Sequence, residues 1–160
     1  MEKRARISLG ALGASAALLV ALVTHEGYSD KAIVPVPGDR PTVGFGSTFR
    51  DDGKPVQMGD SITPVKALQR SLAHLQKDEA GVKNCITVPL YQSEYDAYLS
   101  LAYNIGVPAF CKSTLVKKLN TGDYSGACQE VLKWDKFRGA PLRGLTIRRK
   151  KEYAQCVSQH

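Results

Sequence analysis

Hydrophobic and polar positions change register three times along the 160-residue chain. Ile7 to Thr24 hold no charged residue, and the length suits a single apolar helix. Residues 25–60 differ, with short apolar runs broken by Pro and Gly between Pro35 and Pro41. The run Thr42-Val43-Gly44-Phe45-Gly46 follows, then a hairpin turn at Asp51-Asp52-Gly53-Lys54 and a short strand near Val56 to Met58. From Thr63 the spacing becomes helical. Thr63-Pro64 supplies a cap and a first-turn proline, and Val65, Leu68, Leu72, Leu75 and Val82 recur on one face. Further helices are predicted from Ser93 to Ile105, with Gly106 as the stop, and from Ser113 to a stop at Gly122. Another runs from an Asp123 cap through Val131 and Leu132, and a last opens at Thr146 with Ile147, Tyr153 and Val157 on one face. Connections this short imply one bundle. The expected architecture is therefore α+β: a small β-rich lobe and a helical lobe, joined by the long helix near Thr63 and preceded by an apolar helix. Residues 1–24 form an appendage to one domain over 25–160.

That appendage resembles an export signal, with a basic flank at residues 1–6 (MEKRAR) ahead of the apolar stretch. Gly10, Gly13, Ser8, Ser15 and five alanines dilute its leucines, so the helix should enter a bilayer and hold there only marginally. Ordinary cleavage is the competing reading, but the best small-x-small triplet, Ala14-Ser15-Ala16, lies inside the apolar run. The favoured expectation is an uncleaved, releasable anchor at the inner membrane that delivers the rest of the chain to the periplasm.

Charge and cysteine content agree with export. With 22 basic and 15 acidic residues the net charge is +7, which favours anionic partners such as a cell-wall polymer or an acidic membrane leaflet. Nucleic acid is not expected beyond the inner membrane. Arg143, Arg148, Arg149, Lys150 and Lys151 read either as a solvated helix face or as a polymer-binding one. The four cysteines lack metal or redox spacing, and with three histidines neither a metal nor a cofactor is expected. An even, widely spaced set fits two disulfides. Of three pairings, Cys85–Cys111 and Cys128–Cys156 are favoured, because each ties a loop or helix start to a neighbouring helix.

Ligand sites favour the cleft between lobes, which directs attention to Glu26 and the 39–42 region. Glu26 follows the apolar run, where partial burial would make it a proton donor. Asp39 and Thr42 sit in the stiff Gly38-Asp39-Arg40-Pro41-Thr42 segment, and Gly44 and Gly46 leave backbone open to a ligand. A glycosidase needs such an acid and a second polar group that places water or steadies positive charge. Each residue also has an ordinary reading: a Glu ending a helix is often solvated, and an Asp in a turn often only forms the turn.

His25-Glu26-Gly27-Tyr28 followed by Pro41-Thr42-Val43-Gly44-Phe45-Gly46 resembles the active-site signature of the phage T4-type lysozymes, glycoside hydrolase family 24. Tyr91-Gln92-Ser93-Glu94-Tyr95-Asp96-Ala97, Ala102-Tyr103-Asn104-Ile105-Gly106 and Gly144-Leu145-Thr146-Ile147-Arg148-Arg149 resemble the helical-lobe motifs of that family. With the weak apolar segment, the resemblance is greatest to signal-anchor-release endolysins. It implies a lysozyme-like fold and hydrolysis of peptidoglycan glycan strands by a monomer, with Glu26 as general acid, Thr42 positioning water, and Tyr103 and Asn104 lining the substrate cleft. One departure stands out. The family Asp lies nine residues after the Glu and six before the Thr, and here those offsets fall on Pro35 and Val36. Either Asp39, three residues before Thr42, substitutes for it, or the enzyme works without that carboxylate. The same departure leaves a transglycosylase outcome open. A non-enzymatic cationic wall- or membrane-disrupting protein is the remaining alternative.

Overall fold

A computed structural model describes residues 4–160. The chain divides into two compact units. One comprises Ala16–Gln76; the other joins the described residues up to Ser15 to Lys77–His160.

The first unit opens with helix α1, Ala16–Glu26, whose Leu18 and Leu22, one turn apart, are buried. Strand β1, Ser29–Ile33, pairs antiparallel with β2, Thr42–Gly44, in the register Ser29 to Gly44 and Ile33 to Thr42. Ala32, Val43 and Val56 form its small core, with Ile62 packed against them. The expected turn over residues 51–54 is present: the Arg50 amide donates to the Lys54 carbonyl at 2.7 Å, and Phe49 bridges Pro55. The expected strand near Val56 to Met58 reduces to one amide bond from Val56 to Thr48. Helix α2, Pro64–Cys85, starts here and runs on into the second unit. The Thr63 hydroxyl accepts from the Lys66 amide at 3.4 Å, as its capping position predicts.

The buried stripe of α2 differs from the apolar one read in the sequence. Val65, Leu68 and Leu72 are exposed, whereas Ala67, Ser71, Leu75, Asp78 and Val82 are buried. These five also recur at helical spacing, but small and polar members conceal the pattern. Ala67 is where close approach demands smallness: a Cβ at Gly44, which has φ +68°, would stand 2.8 Å from the Ala67 Cβ.

The second unit is built around α3, Gln92–Ile105, buried continuously from Glu94 to Ala102 and packed against α4 (Val107–Lys112), α6 (Tyr124–Val131) and α7 (Arg143–Cys156). A helix apolar around most of its circumference belongs at such a centre. It begins before the expected Ser93: Tyr91 is the cap residue, and the Glu94 carboxylate takes the Tyr91 amide at 2.8 Å. Ser113 caps α5 (Thr114–Asn120) and Asp123 caps α6, both as expected. Helix α4 and the two-residue strands β3 (Lys136–Phe137) and β4 (Ala140–Pro141) were not anticipated. They are too short to establish a period.

Helix α7 starts at Arg143, ahead of Thr146, and its buried face is not the expected Ile147 side. Ile147 is exposed, while Arg148, Arg149 and Glu152 are buried. Glu152 Oε1 accepts from Arg148 Nε at 3.2 Å, from Arg149 Nη2 at 3.2 Å and from the Ser100 hydroxyl at 2.7 Å, and Arg149 Nε stands at ion-pair distance, 2.8 Å, from Oε2. The basic run is thus split: Arg148 and Arg149 hold the bundle together, and Arg143, Lys150 and Lys151 face solvent. Disulfides join Cys85 to Cys111 and Cys128 to Cys156, the favoured pairing.

The expected helix over residues 7–24 is interrupted. Leu9–Ala11 form a 3-10 turn, and regular helix begins only at Ala16. No described helix is long and apolar enough to cross a membrane. The basic flank is described from Arg4 onward; Met1, Glu2 and Lys3 lie outside the described residues.

Candidate active site

Glu26 is the last residue of α1, and the chain leaves the helix through Gly27, whose φ of +66° turns the backbone toward β1. The strand pairing brings β2 back alongside, Gly44 opposite Ser29. Beyond Thr42 the backbone closes on itself: Val43 and Ser47 exchange both amide bonds at 3.0 Å, pinching residues 44–46 into a tight loop. Gly46, at φ +77°, presents bare backbone to the acid, since a Cβ there would lie 2.8 Å from Glu26 Oε2 and 3.4 Å from its Cδ. Tyr28 and Phe45 flank the loop with ring centroids 5.4 Å apart, and the Tyr28 hydroxyl donates to the Ile62 carbonyl at 2.8 Å.

Glu26 itself is exposed, contrary to the partial burial expected from its apolar neighbours. The apolar residues of α1 that are buried, Leu18 and Leu22, lie one and two turns earlier, so the helix ends with its acid in reach of solvent. Thr42 is half-buried at the head of β2. Asp39 is exposed in the β1–β2 connection, where its amide donates to the Val36 carbonyl and its Oδ1 accepts the Arg40 amide at 2.8 Å. Asp39 therefore keeps its turn-forming bonds, with its other carboxylate oxygen outside that bond. Tyr103 and Asn104 occupy the last turn of α3 in the helical unit, half-buried and exposed respectively. Trp134 is half-buried after α6, its carbonyl accepting from Arg149.

Two charged pairs missed in the sequence brace the β-bearing unit. Arg50 grips Asp60 with Nε at 2.6 Å and Nη2 at 2.7 Å, and Arg70 holds Asp51 at 2.8 Å. The Arg50 hydrogen bonds, followed by the Gln57 amide, hold the Asp60 carboxyl below the usual carboxylate range. A hollow of about 350 Å³ between these pairs is lined by both of them together with Asp52, Val43 and Ser61. A larger one, about 870 Å³, lies in the helical unit and contains none of the candidate residues. Among the described residues no group of three His, Cys, Asp or Glu is placed to hold a metal.

The phage lysozyme family model matches residues 23–152. This chain belongs to the phage lysozyme family. The matched span takes in Glu26, Asp39, Thr42, Tyr103 and Asn104. Among its relatives, the endolysin of Acyrthosiphon pisum secondary endosymbiont phage 1 is 42% identical over 144 residues, 85% of this chain and 92% of that protein. The SAR-endolysin of Enterobacteria phage P21 is 30% identical over 158 residues, covering 96% of this chain and 92% of its own. Among solved structures, the endolysin from Escherichia coli O157:H7 phage FAHEc1 superposes with a TM-score of 0.83 at 35% identity, over 94% of this chain and 97% of that one. A lysozyme-like fold is shared with this phage lysozyme relative.

Proposed function

We propose that this chain is an endolysin that hydrolyses the β-1,4 bond between N-acetylmuramic acid and N-acetylglucosamine in bacterial peptidoglycan and thereby lyses the host cell. The carrying observation is the Glu26 carboxyl seated on the Gly46 backbone, inside the span that matches the phage lysozyme family. Glu26 donates its proton to the bridging oxygen as the bond to the anomeric carbon breaks. A water held by the Thr42 hydroxyl attacks that carbon and passes a proton to the Asp39 carboxylate, the group taking the place of the family acid. Tyr103 and Asn104 would contact the glycan.

The membrane part of the reading rests on the sequence of residues 1–24 and on likeness to relatives named SAR-endolysins. The segment serves as an export anchor that tethers the chain to the inner membrane, facing the periplasm, until it slips out. An apolar stretch interrupted at Leu12–Ser15 supports the reading that this segment can leave the bilayer.

Incubation of the purified protein with purified peptidoglycan tests the enzyme reading. New reducing ends on N-acetylmuramic acid, with chitin left intact, are expected. Intact glycan strands would contradict it, and anhydro-sugar ends would replace hydrolysis by the transglycosylase alternative. Replacing Gly10, Gly13, Ala14 and Ala17 together with leucine tests the tether, since a firmer anchor should delay lysis.

A further inference from the structure

The β3–β4 hairpin and the outer face of α7 form a surface that is basic and apolar at once. From Lys136 to Lys151 the sequence holds seven basic residues and no acidic one. Arg148 and Arg149 are buried beside Glu152, whereas Lys136, Arg138, Arg143, Lys150 and Lys151 reach solvent. Residues 136–144 are exposed without a break, and large apolar side chains stand among the charges. Phe137 is 44% exposed, Leu142 48%, and Ile147, one turn beyond Arg143, 45%. Arg143, Ile147, Lys150 and Lys151 follow helical spacing, so one face of α7 continues the surface.

The hairpin is fixed at its base. The Leu142 amide donates to the Asp135 carbonyl at 2.9 Å, and the Thr146 hydroxyl to the Asp135 carboxylate at 3.1 Å. The buried Arg149 reaches the Trp134 carbonyl at 3.4 Å. The acid next to the basic run is thus engaged at the foot of the hairpin. At the tip, Phe137 pairs with Ala140 across the two-residue loop Arg138-Gly139, whose φ angles are +50° and +81°. Such a turn favours Asn, Asp or Gly at its first central position. Among the described residues Arg138 is the only non-glycine with a positive φ, a placement that costs stability. Its guanidinium lies 5.1 Å from the Phe137 ring centroid, a contact inside the hairpin that does not tie it to the bundle. Strain of this kind, kept at an exposed cationic tip, points to a role outside the fold.

We infer that this surface, centred on Lys136, Phe137, Arg138, Leu142, Arg143 and Ile147, docks the helical unit onto an anionic phospholipid bilayer. Two features select that partner. Positive charge with no acid among it matches anionic headgroups, and the attraction grows with each basic residue near them. Phe137, Leu142 and Ile147 gain by leaving water for the boundary of the acyl chains, which a hydrated polymer of sugars and peptides does not offer. The contact is peripheral and weakened by salt. It requires neither the chemistry of Glu26 nor a membrane span by residues 1–24.

The test uses the purified full chain, the variant F137S/R138G, and vesicles of phosphatidylcholine alone or mixed with phosphatidylglycerol. Trp134, the single tryptophan of the chain, lies two residues before β3 and reports on this surface. Brominated acyl chains should quench its fluorescence in the mixed vesicles and not in phosphatidylcholine alone. Salt near 1 M, which shortens screening to about 3 Å, should abolish the quenching. The variant should need about tenfold more lipid for half-maximal quenching. R138G alone, relieved of the strained turn, should melt at or above the parent's temperature. Attachment through residues 1–24 instead would leave the quenching insensitive to salt and to the hairpin substitutions. Equal quenching in parent and variant, quenching that ignores lipid charge, no quenching, or a destabilised R138G would overturn the proposal. So would a variant that loses retention on purified peptidoglycan while responding to vesicles as the parent does, since the surface would then serve the wall polymer. If F137S/R138G does not fold, R138G is judged by the same readings.

Discussion

The carboxyl of Glu26 rests on the backbone of Gly46, so closely that a methyl group at residue 46 would stand 2.8 Å from Oε2. The contact joins the end of α1 to the pinched loop after β2, and Gly46 contributes to it by lacking a side chain. Gly46→Ala should therefore displace the acid. A misplacement near 1 Å costs about 100-fold in rate, and we expect a loss of that order in glycan cleavage. The positive φ adds a stability loss of about 1–2 kcal/mol. Turbidity kinetics on purified walls beside thermal melts separate the two effects. Full activity in the variant would show that the contact is incidental.

Asp39 carries a sharper question, because its Oδ1 is engaged by the Arg40 amide at 2.8 Å. If its other oxygen receives the water proton, Asp39→Asn should lower the turnover number by about 100-fold or more while leaving the melting temperature nearly unchanged. A variant within a few-fold of the parent would assign water placement to Thr42 without a carboxylate partner.

Much of this arrangement was legible in the sequence wherever a residue's chemistry is local. Thr63, Ser113 and Asp123 cap the helices they precede, because the capping bond needs only a short polar side chain three residues ahead of its amide. The cysteine pairing was likewise readable from the helices that it ties. What escaped depends on partners distant along the chain. Glu26 was expected to be partly buried and is exposed, because the buried face of α1 ends with Leu22, one turn before it, and its contact with Gly46, twenty residues on, leaves it open to solvent. Arg148 and Arg149 looked like surface charge, and only the presence of Ser100 and Glu152 makes their burial tenable. In α2 Leu75 and Val82 of the expected stripe are buried but Val65, Leu68 and Leu72 are exposed, since close packing against Gly44 puts the small Ala67 on the buried face of the first turns. The expected anchor helix is broken at Leu12–Ser15, where side chains of α2 and α3 capture the backbone.

Both disulfides lie in the helical unit and close loops of similar length, with sequence separations of 26 and 28. Chain-entropy reasoning gives about 3 kcal/mol for each. Cys128→Ala with Cys156→Ala should lower unfolding free energy by about that amount, read from denaturant melts. The same melts in reductant should bring the parent below this variant, because Cys85–Cys111 is then lost as well. No change on reduction would contradict a structural role for the bonds.

Acid should destabilise the fold through its paired carboxylates. Asp60 is held below its ordinary range by Arg50, Asp51 by Arg70 and Glu130 by Lys118 and then Lys133. Each takes up a proton more readily in the unfolded chain than in the folded one. Their contribution is therefore present above the unfolded carboxylate range, near pH 4, and fades as pH falls through the lower folded values. Melting temperature measured from pH 6 to pH 2 should fall, and Asp60→Asn should flatten part of that slope. A melting temperature that rises toward pH 3 would contradict the assignment.

The most direct measurement is the rate at which the purified Glu26→Gln protein releases reducing ends from purified peptidoglycan. Gln keeps the size and the contact with Gly46 but has no proton to give. We predict a fall of at least about 1,000-fold with an unchanged thermal melt. Reducing ends appearing at the parent's rate would contradict the account, for the proton would then come from elsewhere.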